Sequence, residues 1–202
     1  MADLTDGEIV ARALAGDEGA QRALYETHYV AAFRLACLLL QDTCDAEEAV
    51  QDAFVYVLRN LHRYDSDRGS FWAWLRVVLV SRCHNRRRRR QVHLVSLEGL
   101  EVVAQPSSDP QTSDPASVLE KLGARRVVWE ALQRISPASR DALVLRYYEG
   151  LPYAEIAEIL DCSHDAARAR VAYGKVQLRR LLVASEEGEV CVGSIVRATK
   201  MT

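Results

Sequence analysis

The sequence predicts an all-α protein: two small helical domains joined by a flexible acidic linker. Three observations carry that prediction. Apolar residues recur at helical spacing on both sides of a central stretch, and the runs open on residues able to cap a helix. Across 91–116 the periodicity disappears, and Pro106, Pro110 and Pro115 punctuate Ser, Thr, Gln and Asp, the composition of a flexible tether. The charge is sorted by segment, with net −8 over 1–54, +8 over 55–90, −4 over 91–119 and +3 over 120–182, although the whole chain is only −2. Blocks of this kind suit separate faces for separate partners, and a polyanion is the candidate for the basic ones.

The first unit spans 4–90. Thr5 or Asp6 can cap a helix through Ala15, stopped at Gly16. Asp17 opens a second, with Ala20, Leu24, Tyr25, His28 and Phe33 recurring at helical spacing toward Leu40. Asp45 can cap a third, with Glu48 completing a capping-box signature. Ala46, Ala49, Val50, Ala53, Phe54, Val57, Leu58 and Leu61 then form one buried stripe. Off that stripe lie Glu47, Glu48, Gln51 and Asp52, a compact acidic patch. Spacing alone reads it as a solvated helix face.

His62 to Ser70 is polar, contains Gly69 and reads as a loop. Ser70 can cap a helix whose core face takes Trp74, Leu75, Val78 and Leu79, with Trp72 and Arg76 to one side. That helix turns abruptly into Arg86–Arg90. Five adjacent arginines repel one another unless an anion neutralises them, which favours nucleic acid over a merely solvated end.

The second unit spans 117–183. Ser117 and Glu120 form another capping box, followed by Leu122, Trp129, Leu132 and Ile135. Ser136-Pro137 opens a helix through Tyr147, which Glu149-Gly150 ends. A short helix from Pro152 to Leu160, the turn Asp161-Cys162-Ser163 and a longer helix from His164 to Leu182 give a helix-turn-helix pattern. The last helix bears Arg168, Arg170, Lys175, Arg179 and Arg180 against the single acid Asp165, as a helix meeting phosphates and base edges requires. The tail 184–202 contains an apolar run, Val190–Val196, with no assigned role.

Composition removes other classes. At 202 residues and 49% apolar, the chain can bury real cores. No stretch approaches the ~18–20 apolar residues of a membrane span, so no membrane insertion is expected. The acidic start Met1–Asp6 is unlike the basic start of a signal peptide. Five scattered cysteines with no C-x-x-C pair argue for thiols in a reducing cytosol, with a Cys37/Cys44 redox pair as a minor alternative. His28, His62, His84, His93 and His164 are dispersed, and no metal-ligand cluster, carboxylate pair or phosphate-cradling glycine loop is present. No catalytic residue, metal site or cofactor is expected.

On these residues the chain resembles the bacterial RNA polymerase sigma factors of the sigma-70 family, in their extracytoplasmic-function (ECF) subfamily. Asp45-Ala46-Glu47-Glu48-Ala49-Val50-Gln51-Asp52-Ala53-Phe54 is similar to the family's polymerase-binding helix. Phe71-Trp72-Ala73-Trp74-Leu75 resembles its promoter-melting helix, and Gly150 to Leu160 its C-terminal helix-turn-helix. Ala15-Gly16-Asp17 with Ala20, Leu24 and Tyr25 also fits, so the match covers about 4–182 in order.

The resemblance implies sigma region 2, a linker threading polymerase, and sigma region 4. By position, Asp45, Glu47, Glu48, Gln51 and Asp52 would face the β′ clamp helices, and the polymerase β flap is a further implied contact. Tyr64, Asp65, Arg68 and Ser70, with Trp72 and Arg76, would hold the unstacked strand of the −10 element, where flipping a base out costs a few kcal/mol. Arg82 and the run Arg86–Arg90, with Arg86 and Arg87 foremost, would lie along upstream backbone. Ser163, His164, Arg168, Arg170, Tyr173 and Lys175 would address the −35 element. An anti-sigma protein is a further implied partner. The alternative is a stand-alone helix-turn-helix regulator, which leaves the acidic patch and the tryptophans unexplained.

Some positions depart from the family's pattern. Ser81 stands where asparagine is common, Asp161 replaces a frequent turn glycine, and Ala166-Ala167 and Tyr173-Gly174 replace other pairs. Gly174 within a helix costs about 1 kcal/mol against alanine. These changes bear on promoter sequence, not on class.

Overall fold

Caps and turns set the helix boundaries. The computed structural model of the chain describes residues 6–96 and 126–183, with 91–96 given by their backbone alone. The chain divides into two units, Met1–Pro106 and Ser107–Thr202. Among the described residues the regular elements are all helical. The linker from 97 to 116, the Ser117–Glu120 capping box, Leu122, the Thr5 cap and the tail 184–202 lie outside the described residues.

In the first unit α1 covers Asp6–Leu14, and Gly16 takes the left-handed turn at φ 89°. Asp17 caps α2 (Glu18–Leu40), its carboxylate accepting the Ala20 N–H at 3.1 Å. Gln41 ends α2 in a left-handed conformation at φ 59° and leaves Asp42 extended. Asp42, not Asp45, is therefore the cap of α3 (Thr43–Arg59), accepting the Asp45 N–H at 3.0 Å. The predicted cap lies one turn too late, and Asp45 is left to face another helix.

Two short 3-10 turns, Leu61–Arg63 and Ser66–Arg68, occupy the predicted loop. Ser70 Oγ then accepts the Ala73 N–H at 3.2 Å and starts α4 (Phe71–Ser96). α4 continues past Arg90 to Ser96. Gln91–Ser96 contains no proline or glycine, and propagating an existing helix costs little.

The core is the seam of α2, α3 and α4: Leu24, Leu35, Leu39, Val50, Val57, Phe71, Leu75 and Leu79 are all fully buried. Each contributes about 1.5–3 kcal/mol by leaving water. The α3 stripe falls as predicted except that Leu58 is only half-buried. On α2 the buried set is Ala20, Leu24, Ala32, Leu35, Ala36 and Leu39, while Tyr25 lies at the surface against Tyr29 and Phe54.

In the second unit a helix α5 covers 126–133, and Val127 and Ala131 pack against Leu182. Ser136 caps α6 (Pro137–Tyr147), and Gly150 at φ 72° turns the chain into α7 (Tyr153–Ile159). Asp161 adopts φ 45°, the strained conformation expected where glycine is frequent. Ser163 Oγ accepts the Ala166 N–H at 3.1 Å and opens α8 (His164–Val183). Gly174 has a packing reason: a Cβ there would stand 2.8 Å from Leu143 Cδ1 and 3.1 Å from Ser139 Cβ. The glycine lets α8 seat closely on α6.

Candidate functional site

On α3 the core stripe turns Glu47, Glu48, Gln51 and Asp52 outward, and all four are exposed. Asp45 is half-buried and points to α4, where Arg86 Nε donates to its Oδ1 at 2.9 Å. The other end of the Arg86 guanidinium pairs with Glu48 Oε2. Arg90 Nη1 donates to Asp42 Oδ2 and to Asp45 Oδ2, both at 2.9 Å. Burial pushes the Asp42 carboxyl up, but hydrogen bonds from the Asp45 N–H and from Arg90 outweigh it and hold the group below the usual carboxylate range. The arginine run is thus split. Arg86 and Arg90 tie α4 to the start of α3, whereas Arg88 and Arg89 are exposed beside them and line a cleft of about 690 Å3 with Cys44. Arg87 is half-buried.

Cys37 sits half-buried beneath the same corner, and burial pushes its thiol up to about 11. It is protonated at neutral pH and a poor partner for thiol exchange with the exposed Cys44.

The loop before α4 carries Asp65, Arg68 and Ser70 exposed, with Tyr64 half-buried. Tyr64 Oη donates to Gly69 O at 3.1 Å and its ring meets Phe71 and Trp74, each at 5.9 Å. Phe71 fills the core, so Trp74 is displaced from the predicted core face to a half-buried place beside Tyr64. Trp72 is half-buried and stacks on His28, with centroids 6.2 Å apart and planes 12° from parallel. Arg76 departs from expectation: it is 8% exposed, packed inside the helical seam rather than flanking the loop. Arg82 is half-buried with its guanidinium 4.8 Å above the Tyr56 ring.

On α8, Ser163, His164, Arg168, Tyr173 and Lys175 are exposed, as are Arg179 and Arg180. Arg170 is half-buried, because two positions from Arg168 is about 200° around a helix. His164 stands edge-on to Tyr153, whose other contact is the Arg146 guanidinium at 4.8 Å. The structure therefore places most predicted groups at surfaces and draws Arg76, Arg86 and Arg170 inward or into ion pairs.

Sequence reasoning gave no place to Asp42 or Tyr56, and it gave His28 a helical spacing but no partner. His28 was legible as one of the α2 core-stripe positions, four residues from Leu24 and from Ala32. Its partners Asp6, Phe71 and Trp72 are remote in sequence.

The sigma-70 region 2 family model matches residues 24–92, and the sigma-70 region 4 model matches residues 125–178. The ECF RNA polymerase sigma factor SigM of Mycobacterium tuberculosis H37Rv is 30% identical over 88% of this chain and 85% of its own length. SigK of Mycobacterium sp. strain KMS is 28% identical over 88% of this chain and 91% of its own. Among solved structures, the sigma factor RpoE of Bartonella quintana, in complex with the anti-sigma factor NepR, shares the fold with a TM-score of 0.65. It has 19% identity and covers 82% of this chain and 98% of that one. CnrH, in complex with the cytosolic domain of CnrY, has a TM-score of 0.57 at 23% identity, covering 88% and 97%. No helix among the described residues is long and apolar enough to cross a membrane. The chain belongs to the sigma-70 family, in its ECF class, and is a sigma factor that binds core RNA polymerase and directs promoter-specific transcription initiation.

Proposed function

We propose that the two units divide this work by residue. Unit one, 4–90, docks on the β′ clamp helices through Glu47, Glu48, Gln51 and Asp52 and opens the −10 element. Unit two, 117–183, reads the −35 element from α8 and meets the β flap. The observation that carries the reading is the outward acidic face of α3, four polar residues exposed opposite the buried stripe. A solvated face needs no such concentration of one sign, and a basic partner helix would neutralise it.

Tyr64, Asp65, Arg68, Ser70 and Trp72 hold the extruded strand, with Arg82, Arg87, Arg88 and Arg89 along upstream backbone. Arg86 and Asp45 act chiefly as a brace, since each is engaged with the other. Arg168, Tyr173 and Lys175 contact the −35 duplex, with Ser163 and His164 at the entry of α8. The acidic linker, 91–116, would occupy a channel built for nucleic acid. The protein works in the cytoplasm without catalysis of its own. An anti-sigma protein is its regulator, a reading supported by the solved complex of RpoE with NepR.

Run-off transcription with sigma-free core polymerase tests this. Glu48→Arg/Asp52→Arg is expected to lose core binding and initiation together while the purified chain stays folded. A chain that retards duplex DNA alone, with the double mutant behaving as wild type, would instead be a stand-alone regulator.

A further inference from the structure

We propose that His28 is a positioning residue for promoter opening. Its imidazole, held by Asp6 of α1, fixes the Trp72 ring as a platform for a base extruded from the −10 element. The inference rests on the reading above in which Trp72 receives that base.

The geometry has three parts. His28 Nε2 lies 3.3 Å from Asp6 Oδ1, with the His28 side chain 12% exposed and that of Asp6 29% exposed. The imidazole lies 5.2 Å from the buried Phe71 ring and near-parallel to Trp72 at 6.2 Å. Phe71 is fully buried and offers no face to a ligand, whereas Trp72 is half-buried. His28 thus backs Trp72 from the α2 side, and Asp6 fixes the imidazole in turn.

Histidine suits this place because it does two things at once. Its flat ring stacks on an aromatic face, and its edge nitrogen bonds a carboxylate. Phenylalanine would stack without the Asp6 bond, and alanine would do neither. A stacking surface for an unpaired base is effective only if its ring is already held in place, because any freedom must be lost on capture. Asp6, His28 and Trp72 come from α1, α2 and α4, so the start of α1 is wired to the promoter-opening segment.

The test uses holoenzyme reconstituted with the full chain and a promoter carrying 2-aminopurine one position from the extruded −10 base, so that strand opening is read whether or not that base is present. His28→Ala is expected to bind core and form the closed complex as wild type, and to slow base extrusion by roughly 10-fold, the scale of one aromatic–base stack. Replacing that base by an abasic site should erase the difference from wild type. His28→Phe should recover most of the rate. Asp6→Ala, at a part-exposed partner that leaves the core intact, should show the same base-dependent slowing at roughly one third of the size. The proposal is overturned if Asp6→Ala and His28→Ala extrude the base at the wild-type rate. It is equally overturned if both are slowed as much on the abasic promoter, which would mean a purely structural role. Trp72→Ala separates the layers: if it also extrudes the base normally, the Trp72 reading has failed. If Trp72→Ala alone is slow, the reading stands and the inference about His28 does not.

Discussion

The arginines closing α4 and the cations of α8 look alike in sequence and differ in the fold. Arg86 and Arg90 are drawn into contact with Asp42, Asp45 and Glu48 of the neighbouring helix. Arg168, Lys175, Arg179 and Arg180 stand exposed on α8, with no ion pair among the described residues. A guanidinium already bonded to carboxylates offers little to a phosphate, because the old bonds must be given up first. The difference teaches that a charge run in the first unit is partly scaffold, while Arg168, Lys175, Arg179 and Arg180 of the second stand exposed for DNA. It also amends the simple picture of acidic and basic blocks as addresses for separate partners. At the α3–α4 corner the two blocks address each other.

That contrast can be broken at several points. The largest effect is expected at Gly174, where α8 gains its seat on α6. Gly174→Val should destabilise the second unit by about 2–3 kcal/mol through overpacking against Leu143 and Ser139. Thermal denaturation would show it, with loss of −35 duplex binding in parallel. Gly174→Ala should cost less, because about 1 kcal/mol of helix propensity is recovered.

Asp45→Ala comes next. It removes the carboxylate shared by Arg86 and Arg90 and should cost the first unit about 1–2 kcal/mol, below a buried pair because the corner is partly wet. The same variant should raise the non-specific DNA affinity of the free protein, since two guanidinium groups lose a partner. A variant that loses stability without gaining DNA affinity would show that the arginines are not held back by their pairing.

A smaller effect is expected from pH. Asp42 is held below its ordinary range in the folded state, so the unfolded chain takes up the proton first as pH falls. Its contribution is complete above the unfolded carboxylate value of about 4 and is lost as pH drops below it. Chemical denaturation across that window should show Asp42→Asn with a flatter pH dependence than wild type.

Much of the fold was legible because helices are local. The caps Asp17, Ser70, Ser136 and Ser163, the turn at Gly150 and the α3 stripe all follow from residues within a few positions of one another. What depended on remote contact, or on an unusual turn residue, was not legible. Asp42 displaced Asp45 as a cap because Gln41 ends the previous helix in a left-handed turn, a conformation that glycine usually marks. Arg76 reads as a surface cation until α4 is packed, and then falls in the seam. Gly174 reads as a cost until the partner helix is present. The acidic face was legible as exposed, because its positions lie off the stripe, yet spacing could not tell which of its neighbours would pair with Arg86.

The salt dependence of closed-complex formation tests the contrast most directly. Holoenzyme carrying Arg168→Ala should bind the promoter with a log K against log salt slope reduced by about one, the loss of one phosphate contact, whereas Arg86→Ala should leave that slope at the wild-type value. A slope reduced by Arg86→Ala and unchanged by Arg168→Ala would contradict the account.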